Sequence, residues 1–322
     1  MRIIILGAGA IGGTLAFELV RSGAEVVAIA RGAQLEAMRT GGLRLQAPGV
    51  DETIRIPVVA HPAEIEFRAD DVILLCTKTQ HTVAALEDLA AAGVTEQPIF
   101  CLQNGVTNER MALRRFPNVH GVLVMLPAAL VEPGHVAVFA KPKLGILDIG
   151  RYPDGVDAAD EALVQALSNT RIAAFADPEV MAGKYGKLLV NLNNILEAIL
   201  GRGVEVPQIK KALISEAEAA LTAAGLSWRK ADSSDPRRAE FLNMSDIDGV
   251  ARIGGSTTQS LLRGAGSVET DYLNGEIVLM GRLHGVTTPV NAGLCAIAGD
   301  LARAGVRPGS LDGGALARRL GL

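Results

Sequence analysis

The stretch RIIILGAGAIGG at residues 2 to 13 constrains what this chain can fold into more than any other. Ile3, Ile4, Ile5 and Leu6 form a short apolar run rich in β-branching, the pattern of a strand buried on both faces of a parallel sheet. Gly7, Gly9 and Gly12 follow with the GxGxxG spacing, and Ala8, Ala10 and Ile11 fill the places between them. The first glycine permits a tight turn, the second lets backbone approach a pyrophosphate, and the third lets the next helix pack against the strand. The apolar spacing of Leu15, Leu19 and Val20 predicts that helix over about 11 to 22, its first amides aimed at phosphates. The run EVVAIA predicts a second strand over 25 to 30. A GxGxxG alone also occurs in plain glycine-rich turns; with a strand before it and a helix and strand after it, the unit is βαβ and binds a dinucleotide.

Arg31 follows the second strand, where an acidic residue would accept from the ribose 2′-hydroxyl of NAD. An arginine there suits a 2′-phosphate, so NADP(H) is the expected cofactor; the competing reading is a solvated surface arginine. Residues 43 to 59 alternate as an antiparallel hairpin does. Two further apolar strands, about 72 to 77 and 98 to 102, end in Lys78 and in Gln103-Asn104-Gly105. Ligands of open α/β sheets collect at such carboxyl ends, which makes Lys78 and Asn104 candidate contacts; a βα-loop lysine and an NG turn are the plainer readings. Strands near 119 to 125, 135 to 139, 143 to 149 and 171 to 176, with a helix over 158 to 167, complete a first domain, 1 to 176.

Residues 177 to 322 read as a second, nearly all-helical domain punctuated by glycine turns. Its first predicted helix, about 179 to 200, is apolar on several sides, yet Lys184, Lys187, Asn191 and Asn194 recur at spacings that form one polar face. A solvent-exposed face would look the same. In a helix this oily the amides and ammonium are expected to be buried, and a polar substrate would satisfy them. The 322 residues carry a formal net charge of −4, which gives no reason to expect nucleic acid or a membrane surface as partner. The chain opens directly on a strand and has no apolar run of membrane-spanning length, so a cytoplasmic protein is expected. Cys76, Cys101 and Cys295 are scattered and read as buried thiols. His61, His81, His120, His135 and His284 are dispersed without a clear carboxylate pairing, and no cluster suggests a metal.

Taken together, GAGAIG, the arginine after the second strand, TK at 77 to 78, QNG at 103 to 105, GKLLVN at 186 to 191, STT at 256 to 258 and ETDYLNG at 269 to 275 resemble the ketopantoate reductase (2-dehydropantoate 2-reductase) family over essentially the whole chain. The resemblance implies a Rossmann-type α/β domain followed by an all-α domain, with the active site in the cleft between them. It also implies NADPH-dependent reduction of 2-dehydropantoate to pantoate, a step of pantothenate biosynthesis. Carried over by position, it makes Lys187 the general acid, Asn104 and Asn191 substrate-facing amides, and Thr257 or Ser256 the hydroxyl that meets the substrate carboxylate. Glu269 becomes the acid at substrate and cofactor ribose, although an acid in a first helical turn, here with Ser267 as N-cap, is favoured by the dipole alone.

The chain departs from the family pattern where the substrate is shaped. Ile195 stands where a second asparagine is common, with Asn194 one place earlier; Val204 and Glu205 fall near a further asparagine, Leu261 replaces an aspartate, and Tyr185 a tryptophan. A same-fold reductase of a different 2-oxo acid or ketone is therefore the main alternative. An opine- or imine-type dehydrogenase and a non-catalytic NADPH-binding sensor are further ones. The long apolar helices toward the C-terminus would support a homodimer.

Overall fold

The computed structural model describes residues 1–231, 235–252, 254–262 and 268–322, excluding the side chains of Ser256 and Ser260. Ser267 lies outside them. Two compact units divide the chain: Met1–Gln103, Asn108–Met181 and Ser233–Arg252 form one, while Asn104–Thr107, Ala182–Asp232 and Ile253–Leu322 form the other. The chain thus passes between units more often than a single cut at 176/177 would require.

The first unit is built on an eight-stranded sheet. Its order is Ile172–Ala176, Gly145–Arg151, Val119–Met125, Ile99–Cys101, Asp71–Leu75, β1 (Arg2–Leu6), β2 (Val26–Ile29) and Val58–Val59. The six strands from Val119–Met125 to Val58–Val59 are parallel, whereas Gly145–Arg151 runs antiparallel to its neighbour. Every residue of β1 is buried, as its unbroken apolar run requires of a central parallel strand. From β1 the chain builds outward through α1 (Ala10–Arg21) to β2, and later returns to the other side of β1 with Asp71–Leu75. The order of the sheet therefore reverses at β1, which is where open α/β sheets bind ligands.

The predicted hairpin is Leu43–Ala47 with Val50–Ile54, within a separate four-stranded sheet. One segment read as helical behaves otherwise. Leu242–Met244 is a strand paired antiparallel to Ala140–Pro142. Just before it, Arg237 donates to both oxygens of Asp148 at 2.6 and 3.0 Å and lies 5.0 Å over the Phe175 ring. These contacts place residues 235 to 252 in the first unit.

The second unit is a bundle of helices around Leu188, Leu213, Ala217, Ile277 and Leu294, all fully buried. No helix among the described residues is long and apolar enough to cross a membrane.

Glu18 anchors the C-terminal half of α1. Its buried carboxylate accepts from Arg171 Nε and Nη2 at 2.9 and 2.7 Å and from the Arg171 backbone amide at 2.7 Å. Burial alone would raise this carboxyl; the hydrogen bonds and charge of Arg171 outweigh it and hold the pKa below its ordinary 4.5. The stability Glu18 contributes is therefore present above that value and lost as the pH falls through the lower folded one. Glu18→Gln should cost about 2 kcal/mol at neutral pH. Urea midpoints should show the gap to the wild type narrowing on acidification, and a gap independent of pH would contradict this account.

Candidate active site

In the first unit the glycines behave as their spacing predicts. Gly7 has φ +106°, a left-handed conformation that a side chain would strain. A Cβ on Gly12 would collide with the Gly7 carbonyl and come within 2.9 Å of Cys76 Cβ and Ile5, whereas one on Gly9 would stand in open space. So the third glycine lets α1 settle on the sheet, and the second leaves room above the loop. The Gly7 and Ala8 amides both donate to the Ile29 carbonyl, and Gln34 Nε2 donates to Ala8 O at 2.8 Å. Gly13 N–H donates to Gly9 O at 2.7 Å, and the amides before it, from Ala10 and Ile11 to Gly12, are first-turn donors without an intrahelical acceptor. No acid lies in that first turn. An anion is what such a helix start accepts.

Arg31 lies two residues beyond Ile29, beside this loop. It is 64% exposed, and its Nη2 pairs with Asp88 at 2.7 Å, an interaction that engages part of the guanidinium fork and leaves its five donors only partly used. Lys78 leads a short 3-10 turn, Thr79–His81, at the carboxyl end of Asp71–Leu75. Behind it, Asn108 donates to Thr79 at 3.2 Å and accepts from Thr82 at 2.8 Å, and Gln103 donates to Thr82 at 3.4 Å. This buried network fixes the loops on that edge and was not legible in the sequence, because its members lie up to 29 residues apart.

The second unit carries the lysine. The expected single helix over 179 to 200 is two helices, Val180–Asn191 and Asn194–Leu200. Lys184, Lys187 and Asn191 share the first; Asn194 opens the second, so the four do not form one continuous face. Lys184 is 3% exposed and Lys187 half-buried. Asn191 is 7% exposed, and its Nδ2 has no hydrogen-bond partner among the described residues. An unpartnered buried amide costs about 1–3 kcal/mol, which marks Asn191 as a donor kept for something other than stability. Gly186 also has a use the sequence did not reveal. A Cβ there would strike the Arg229 carbonyl, so the glycine lets residues 228 to 231 cross the lysine helix.

Asn194 and Glu197 face Gly254 and Gly255. The Gly255 amide donates to Glu197 at 3.2 Å, and a Cβ on Gly255 would lie 3.7 Å from Asn194 Oδ1. That contact brings the helix Ser256–Leu262 against Asn194–Leu200, with Thr257 buried. Glu269 is half-buried and opens a 3-10 turn, Glu269–Tyr272, rather than the long helix that follows from Asn274. Asn104 belongs to the same unit: next to it Gly105, at φ +82°, is packed so that a Cβ would lie 3.0 Å from the Tyr272 carbonyl. The QNG loop and the glutamate turn are thus neighbours.

The histidine reading needs correction. His120 Nδ1 lies 2.8 Å from Asp160, both fully buried, and its ring stacks on Phe100 at 4.4 Å. The partners are 40 residues apart, a distance at which spacing carries no signal. Among the described residues His120, Asp157 and Asp160 form the one group able to hold a metal. Its carboxylates are already engaged, since Asp157 and Asp160 form the capping box of the helix Ala158–Leu167 and Arg151 pairs with Asp157 at 2.6 Å. The thiol reading is also softened, because Cys76 and Cys295 are only partly buried.

A largely parallel α/β sheet with a glycine-rich loop after β1, joined in sequence to a helix bundle bearing a lysine and amides, is a Rossmann-type two-unit architecture. The family model described as Ketopantoate reductase PanE/ApbA matches residues 3–154, and that of its C-terminal part matches 179–302. The chain belongs to the ketopantoate reductase family and is a 2-dehydropantoate 2-reductase-like oxidoreductase acting on CH–OH groups. A 2-dehydropantoate 2-reductase of Pyrococcus horikoshii is 27% identical over 92% of this chain and 96% of its own length. A PanE/ApbA family ketopantoate reductase from Ralstonia eutropha superposes with TM-score 0.79 at 28% identity, over 95% of this chain and 99% of its own. The same fold occurs in a D-mandelate dehydrogenase solved with NADH and anilino(oxo)acetate, with TM-score 0.78 at 24% identity over 95% and 100% of the two chains.

If Asn191 is held unpaired for a ligand, removing its amide should cost function and not stability. Asn191→Leu is expected to raise stability by about 1 kcal/mol in urea unfolding while lowering kcat by about tenfold or more, as loss of a hydrogen bond made to the reacting substrate does. A destabilised variant with normal turnover would show that the amide serves the fold.

Proposed function

We propose that this chain reduces a 2-oxo acid to the corresponding 2-hydroxy acid with NADPH, and that 2-dehydropantoate is the first substrate to test. The observation that carries the reading is Asn191, a buried amide without a partner among the described residues, one helical turn beyond Lys187. Family membership supports the reaction class. The glycine loop fits a pyrophosphate: Gly9 leaves the space and the first turn of α1 supplies donors. Arg31 would take the ribose 2′-phosphate, exchanging its exposed pairing with Asp88 for a doubly charged anion.

When bound, reduced nicotinamide supplies the hydride that adds to the substrate carbonyl carbon. Lys187 gives its ammonium proton to the oxygen that becomes an alkoxide, and solvent returns that proton afterwards. Asn191 Nδ2 donates to a substrate oxygen, while Asn104 and Asn194 line the same contact set. Thr257, with its neighbour Ser256, meets the substrate carboxylate, and Glu269 accepts from a substrate or ribose hydroxyl. Lys78 contacts the cofactor from its place at the sheet edge.

A second reading, a different 2-oxo acid, is favoured by Ile195, which is 1% exposed where the family pattern has an asparagine, and by the apolar Leu261. NADPH oxidation measured against a panel of 2-oxo acids separates the two. Preference for acids with bulky apolar substituents over 2-dehydropantoate would select the second, and no turnover on any carbonyl would sink both. Lys187→Ala should lower kcat by on the order of 10² or more, and unchanged turnover would remove it from the proton-donor role. Arg31→Ala should raise KM for NADPH by about tenfold and leave that for NADH nearly unchanged; equal effects on both cofactors would refute the 2′-phosphate contact.

A further inference from the structure

The helix carrying Lys187 and Asn191 stops for a specific reason. In an uninterrupted helix Leu196 N–H would donate to the Leu192 carbonyl. Here it donates to Asn193 O at 3.0 Å, and Asn193 N–H turns to Val190 O at 3.3 Å. The released Leu192 carbonyl is taken by Asn274 Nδ2 at 3.3 Å. A side chain inserted into the ladder is a recognised cause of such breaks.

Asn274 is 1% exposed and is the first residue of the helix Asn274–His284, directly after the turn that carries Glu269 and the connecting Leu273. Its other amide hydrogen goes to Asn291 Oδ1 at 3.2 Å. Asn291, fully buried, spends its own Nδ2 on Leu213 O at 3.2 Å and Glu216 Oε2 at 2.8 Å. Glu216 also accepts the first-turn amides Val290 and Asn291 of the helix Pro289–Ala304, at 2.8 and 3.0 Å. The direction of this chain is forced. Both Glu216 oxygens accept backbone amides, so Asn291 turns its nitrogen to Glu216 and its oxygen to Asn274, and Asn274 presents its nitrogen to Leu192. On the other side of the glutamate turn, Cys295 of that same helix lies 3.8 Å from the Thr270 carbonyl.

We propose that Asn274 is a positioning residue, which sets the helix break after Asn191 and holds the Glu269 turn in register with the helix carrying Lys187 and Asn191, its own orientation being imposed by Glu216 through Asn291. The proposal rests on reading Lys187, Asn191 and Glu269 as the groups that meet the substrate. Both amide hydrogens of Asn274 are spent on protein oxygens, Leu192 O and Asn291 Oδ1.

A double-mutant cycle and hydrogen exchange test it together. Asn274→Ala should keep NADPH affinity while lowering kcat per cofactor-binding site by about tenfold or more, as a displaced contact does. Because Asn274 acts in part through Asn191, the losses from Asn191→Ala and Asn274→Ala should combine to less than their product. Additive losses, or an unchanged kcat, overturn the proposal. In hydrogen exchange, Asn274→Ala should lose protection at residues 192 to 197 and 269 to 273 together while 207 to 223 stay protected; loss at only one segment also overturns it. Should Asn274→Ala not fold, Glu216→Gln carries both measurements, since an amide there no longer dictates the orientation of Asn291. A wild-type protein without turnover on 2-oxo acids would instead refute the reductase reading, and the exchange pattern would still decide the role of Asn274.

Discussion

The N-terminal unit depends on one close approach, that of the first turn of α1 to the end of β1. Gly12 lies so near the Gly7 carbonyl and the Cys76 side chain that even a methyl group could not be accommodated. With that approach made, α1 lies low on the sheet and its first-turn amides open above the loop. The Gly7 and Ala8 amides can then reach Ile29, which ties the loop to β2 and brings Arg31 beside it. Glu18 holds the far half of the helix through Arg171, 153 residues away in sequence. The N-terminal end of α1 is thus fixed by backbone sterics and its body by a buried ion pair.

The helical unit faces the opposite problem, how to end a helix inside an apolar core without stranding a carbonyl. A buried carbonyl without a donor is costly, so breaking the ladder after Asn191 requires a replacement donor, and Asn274 is it. The glycine of the run GKLLVN lets Arg229 cross, and the asparagine of the run ETDYLNG closes the break at Leu192, one residue beyond GKLLVN. Asn191 is an exception to this economy. Among the described residues its buried Nδ2 has no partner, as is also true of Asn193 Oδ1 two residues on.

The βαβ unit, the buried parallel strands and the hairpin at 43 to 54 were legible because each is written in local periodicity. The lysine and asparagine positions were legible as well, three of them in one helix. The break at Leu192–Asn193 was not, since nothing near it in sequence breaks helices and its cause lies 82 residues downstream. Leu242–Met244 looked helical for a similar reason, its strand partner being about 100 residues earlier.

The sequence by itself determined the order of elements, the glycines that allow backbone to approach backbone, and the identities of the polar side chains available for chemistry. Those follow from steric and periodic rules that act over a few residues. Only the tertiary structure decided which carbonyls would be left without a helical donor and which distant amides would answer them. It likewise decided that His120 would meet Asp160 and that Asn191 would stay unpaired. A hydrogen bond is satisfied or not by whatever the fold brings within about 3 Å, and that neighbourhood has no counterpart in the linear spacing of residues.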